Sequence, residues 1–142
     1  MKNLINVPKT FQIILFILFL SGCHFVSYYD SISYKNLTDL KGEMKVAFDA
    51  FSKNGAKGES DFSVLKNFKT ELSKGYEYEK GKGKNGDTVA QWEILNNEID
   101  EVIQRFINNN NELSSGYCQG KWMVFDKAFD IAIETENNKL KN

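Results

Sequence analysis

Few residues in this chain have the types and spacing that chemistry requires, and the densest group runs from Tyr76 to Gly86. Gly81-Lys82-Gly83-Lys84-Asn85-Gly86 matches the glycine pattern that cradles a pyrophosphate. That use needs a strand before the glycines and a helix opening from them. The residues before Gly81 carry a helical period instead, so a dinucleotide site is not expected. No Gly-Lys-Ser or Gly-Lys-Thr occurs in the loop, which removes a Walker-type phosphate loop as well. A different chemistry suits it better. Lys80, Lys82 and Lys84 alternate with glycines just ahead of a helix N-terminus, a place that favours anions, and Tyr76 and Tyr78 add flat contact area for a headgroup or a protein. These five residues form a candidate anion or partner site, with a solvated loop as the plain alternative.

Asp126, Asp130 and Glu134 recur at intervals of four, which puts them on one stripe of a helix. Such a stripe could face a basic partner; a solvated face with local lysines such as Lys127 is the plain alternative. Glu77 and Glu79 are two apart and point to different sides of a helix, so no glycosidase-like carboxylate pair is expected. The single histidine, His24, adjoins Cys23 at the start of the tether and would serve a site in the domain only if the tether folded back. Ser-His-Asp and Cys-His mechanisms lack their base, and zinc sites lack ligands. A Glu with a His three residues on, as di-iron bundles require, does not occur. The expectation is a chain with no catalytic residues, no metal and no cofactor.

These candidates must be held by helices. Leu37, Leu40, Met44, Ala47, Phe48 and Phe51 recur at three and four, with Asn36 as a cap and Lys53-Asn54-Gly55 as a stop. Phe62, Leu65, Phe68, Leu72 and Tyr76 make a second stripe that Ser60 or Asp61 can cap, and Gly75 weakens that helix by about 1 kcal/mol relative to Ala. Thr88 with Gln91 reads as a capping box ahead of Trp92, Leu95, Ile99, Val102, Ile103 and Phe106. Asn108 to Asn111 end this third helix, because their side chains compete for backbone hydrogen bonds. Ser114 or Ser115 can start a fourth, which carries Cys118, Trp122, Phe125, Phe129, Ala132 and Ile133. Trp92 and Trp122 belong to the stripes and read as core. The polar tail from Glu136 is expected to fray. Short connections suit antiparallel neighbours. The predicted fold is all-α, a small antiparallel bundle of about four helices over residues 34–142, and the absence of period-two alternation speaks against a sheet.

Ahead of the bundle the sequence has a different character. Lys2 and Lys9 precede an apolar segment from Phe11 to Leu20, whose unbroken part, Ile13 to Leu20, has eight residues. A transmembrane helix needs about 20, so the layout is that of a cleaved signal peptide. Leu20-Ser21-Gly22-Cys23 resembles the lipobox of bacterial lipoproteins at all four positions. The resemblance implies that the Cys23 thiol receives a diacylglyceryl group, that residues 1–22 are removed, and that the new amino terminus is acylated. Residues 23–33 then form a lipidated tether. The position after the Cys is His24 rather than Asp, which by the same resemblance implies the outer membrane, facing the periplasm, if the source is Gram-negative.

Taking 22 residues from 142 leaves 120, enough for one domain. The leader holds two of the 18 basic residues and none of the 19 acidic ones, so the mature chain stands at 16 against 19, or −3. An acidic chain outside the cytoplasm is a poor nucleic-acid binder. With Cys23 consumed by lipid, Cys118 has no internal partner; it is either a buried small hydrophobe or the site of a bridge between chains. A strong anchor without assembled chemistry points to a membrane-anchored, non-enzymatic interaction module with a protein partner in the envelope. An immunity or exclusion lipoprotein against a toxin or phage, or a carrier of a small apolar ligand, is the alternative.

Overall fold

The computed structural model describes residues 27–141. The leader, Cys23 and His24 lie outside the described residues. Four long helices follow one another: α1 (Ser31–Asn54), α2 (Gly58–Lys80), α3 (Gly86–Asn108) and α4 (Ser115–Asn138), with a terminal 3₁₀ turn at Lys139–Lys141. α1 packs chiefly on α4 and α2 on α3, α3 meets α4, and the α1–α2 contact is slimmer than these three. The chain runs up, down, up and down, so the fold is the all-α antiparallel bundle expected. At 1.5 Å per residue, helices of 23 or 24 residues make it roughly 35 Å long.

The expected stripes form the core. Leu37, Met44, Phe48, Leu65, Leu72, Leu95, Ile99, Val102, Phe106, Phe125 and Phe129 are fully buried, as is Trp92, while Trp122 is half-buried against Phe48. Cys118 is also fully buried, and burial pushes its thiol pKa up. Its sulfur therefore has no surface from which to bridge two copies.

The helix ends differ from expectation in instructive ways. α1 begins at Ser31, not near Asn36, because Asp30 caps it by accepting the Ile32 N–H at 2.8 Å. Residues 31–33, assigned to the tether, are thus its first turn. α2 starts at Gly58, and Asp61 reaches back to accept the Lys57 N–H at 2.8 Å. α3 starts at Gly86, two residues before Thr88, so the Thr88–Gln91 capping box is not made; Asn85 holds the cap position but its side chain bonds elsewhere. α4 is capped by Ser114, whose hydroxyl accepts the Tyr117 N–H.

At the far end of the bundle, the two loops pair as minimal strands, β1 (Ala56–Lys57) and β2 (Glu112–Leu113), antiparallel with Ala56 opposite Leu113. Two residues cannot show an alternation, which is why the pattern spoke against a sheet. Gly55 makes the approach feasible: it sits at φ 73°, and a Cβ there would stand 2.6 Å from the Leu113 carbonyl. The asparagine run ends α3 by going left-handed, with Asn110 at φ 56° and Asn111 at φ 60°, a conformation that Asn tolerates better than most residues.

Candidate functional site

The most distinctive chemistry lies at the opposite end, where Ser27–Ser33, the α2–α3 loop and the C-terminal turn meet. The polar tail does not fray there: Glu136 is 0% exposed and the Lys139 side chain 3%. Lys139 donates to Glu136 Oε2 at 2.6 Å and to Asn85 Oδ1 at 2.8 Å. On the other side Glu79, also 0% exposed, accepts from Asn85 Nδ2 at 2.6 Å, from Lys82 at 3.0 Å, and from the Ser33 hydroxyl. Asn85 therefore joins two carboxylate–ammonium pairs whose carboxylates are both fully buried. Its amide spends all its capacity inside the cluster, which explains why it leaves α3 without a side-chain cap.

The start of the described chain is bonded into this cluster. The Asp30 N–H donates to Glu136 Oε1 at 2.7 Å, the Ser27 hydroxyl donates to Asn85 Oδ1 at 2.7 Å, and the Asp30 carboxylate lies 2.6 Å from Lys82 Nζ. Tyr78 OH donates to the same carboxylate at 2.7 Å. Burial works against the charge of Asp30, but hydrogen bonds from Lys82, Tyr78 and the Ile32 N–H outweigh it and hold the carboxyl well below the usual carboxylate range. Burial opposes the charge on Lys82 too, and its bonds to Asp30 and Glu79 outweigh it and raise the ammonium. A lowered acid contributes stability that is lost as pH falls through its folded pKa, and a raised base contributes stability that is lost as pH rises through its own. Both groups stay ionised, and the contact intact, across the neutral range.

The candidate lysine loop is divided by this arrangement. Lys82 turns inward and is committed to Asp30, Glu79 and Ser33, with its ammonium 4.3 Å from the Tyr78 ring centre. Lys80 stays on the surface, 5.4 Å from the Tyr76 ring centre and 3.9 Å from Glu77. Lys84 is exposed at φ 58°. Tyr76 packs half-buried against the core, and the Tyr78 hydroxyl is occupied by Asp30. The structure thus brings Lys80 and Lys84 to one exposed loop and removes Lys82 from it.

On α4, Asp126 and Asp130 both meet Lys41 of α1, at 2.9 and 2.6 Å, while Glu134 is exposed further along. The stripe is partly neutralised from a neighbouring helix rather than by Lys127. On the α3 side of α4, Lys121 is buried and holds Glu98 and Glu101 at 2.5 and 2.6 Å. Two open clefts flank these features. One, of about 740 Å³, lies between α1 and α2, with Leu40, Gly75 and Trp92 as its buried floor and Asp39, Glu43 and Glu71 on its rim. The other, of about 540 Å³, is bounded by Lys84, Gln91, Thr135 and Asn138. Thr88, in its wall, has a hydroxyl without a hydrogen-bond partner among the described residues.

Asp30, Glu79, Asn85, Glu136, Lys139 and Lys121 were not singled out by sequence reasoning, yet a signal was present. Glu79 extends the series Leu65, Phe68, Leu72, Gly75, and Glu136 extends Phe125, Phe129, Ala132, in both cases at three or four. Each also has a lysine three residues on. A carboxylate in core register with a lysine at that spacing marks a buried pair. Among the described residues no group of three or more His, Cys, Asp or Glu is arranged to hold a metal ion, and no helix is long and apolar enough to cross a membrane. No family model, curated protein or solved structure matches the chain.

Proposed function

We propose that this chain is a lipid-anchored envelope protein whose bundle acts as a non-enzymatic module for protein contacts, held outside the cytoplasm by Cys23, on the periplasmic face of the outer membrane where the source has one. The observation that carries the reading is Leu20-Ser21-Gly22-Cys23 placed four residues ahead of a segment bonded into the bundle. Two or three acyl chains anchor durably where one is marginal. The carboxylates and ammonium groups gathered at the chain-terminal end are saturated by one another, which suits holding a shape better than moving a substrate's proton. Exposed apolar side chains on the helix flanks, among them Val46, Met123 and Val124, supply contact area for a partner.

In-cell cross-linking tests the reading. Partners recovered with the native protein are expected to be lost with Cys23→Ala, while the released domain melts at an unchanged temperature. The same cross-links from the Cys23→Ala protein, or none from the native one at its natural abundance, would overturn it.

A further inference from the structure

We infer that the end of the bundle carrying Ser27, the 81–85 loop and the Lys139–Lys141 turn rests against the surface of the bilayer, with the β1–β2 end pointing away. The inference builds on the lipid anchor proposed above and adds an orientation and a contact face. It follows from where Ser27 lies. Ser27 is fixed to Asn85 of the α2–α3 loop, at this end of the bundle. Four residue steps separate Ser27 from Cys23, and a fully extended chain covers at most about 3.6 Å per residue. The anchor point therefore lies no more than roughly 14 Å from Ser27. The far end is more than twice that distance away along the helices, beyond the Debye length of about 8–10 Å within which lipid charge is felt.

What this end presents is suited to an interface between lipid and water. Tyr28 is 83% exposed and Leu140 63%, an aromatic and an aliphatic side chain on either side of the cluster. Tyr favours the headgroup level of a membrane. Lys80, Lys84 and Lys141 are exposed around them, opposed by the exposed carboxylates of Glu77 and Asp87. Asp30, Glu79 and Glu136 are bonded internally to Lys82 and Lys139. Five lysines then meet five carboxylates at this end, so it is neutral on a chain that is acidic as a whole, and an anionic membrane does not repel it. The bonds of Ser27 and Asp30 leave only the few residues between Cys23 and Ser27 as the link, which keeps this end close to the anchor.

The test uses the full chain, matured in cells, purified with its lipid and reconstituted into vesicles of phosphatidylethanolamine and phosphatidylglycerol. Lys80→Cys and Leu140→Cys report on the near end, Lys53→Cys and Asn108→Cys on the far end, each labelled with a fluorophore; all four positions are exposed, Cys118 is buried, and Cys23 is blocked as a thioether. Iodide in the water phase is expected to quench the near pair several-fold less than the far pair, and lipids brominated on their acyl chains to quench the near pair alone. Acylated protein quenched equally by iodide at both ends overturns the orientation and leaves the anchor standing. Near-end protection from iodide without bromolipid quenching also overturns it, because a second copy then covers the face. Protein without acyl mass overturns anchor and orientation together.

Discussion

Lys139→Met is expected to destabilise the bundle by about 3 kcal/mol, far more than a substitution in a polar tail ordinarily would. The Lys139 ammonium is the main compensation for Glu136, whose carboxylate is 0% exposed and keeps, among the described residues, only the Asp30 N–H once the lysine is gone. Removing one partner of a buried ion pair costs about 3–5 kcal/mol, because the other charge is left uncompensated. The lower end of that range applies here: the last turn can open and let Glu136 reach water. Had the tail been solvated, the same change would stay within about 0.5 kcal/mol. Replacing both partners, Lys139→Met with Glu136→Leu, removes the stranded charge and is expected to recover most of the loss. Urea denaturation of the four combinations gives the coupling directly. A single-variant loss under 1 kcal/mol, or a double variant no better than the single, contradicts the buried pair.

Gly75→Ala, a change that favours almost any exposed helix interior by about 1 kcal/mol, is expected to lower stability by about 1–2 kcal/mol instead. A Cβ at position 75 would stand 2.1 and 2.2 Å from Cζ3 and Cη2 of Trp92. The indole cannot move aside, since Trp92 is 1% exposed and packed within the core. Overpacking costs about 1–3 kcal/mol, which exceeds the gain in helix propensity. At roughly 4 °C per kcal/mol for a domain of this size, the melting temperature drops measurably. In a Trp92→Phe background, which frees space beside the glycine, the same substitution is expected to cost less or to stabilise. A rise in melting temperature for Gly75→Ala alone would show that α2 and α3 do not pack this closely.

These two positions show where the sequence was readable and where it was not. The stripes of α1 to α4 follow from a period of three and four and needed no tertiary information; the stop at Gly55 and the cap at Ser114 follow from local backbone chemistry. Gly75 looked like a local weakness because its reason lies on another helix, 17 positions away at Trp92. Glu136 was grouped with a polar tail, and Glu79 was weighed only as a partner for Glu77, because charge outranked register. The direction of Lys82 could not be read at all: alternation with glycine sets no facing, and only the carboxylates of Asp30 and Glu79 turn it inward. Asp30 itself sits in a stretch without period, and its bond to Glu136 appears only when residues 27–33 and the end of α4 are brought together. The surface part of the candidate site, Lys80 and Lys84, was legible; the buried part that positions it was not.

The lipid proposed on Cys23 would fix where the bundle sits, and the intact mass of the protein extracted from membranes tests it most directly. The predicted species begins at Cys23 and carries the added mass of a diacylglyceryl group and a further acyl chain, and Cys23→Ala abolishes it. A chain that retains residues 1–22, or one cut in the same region without acyl mass, contradicts the anchor.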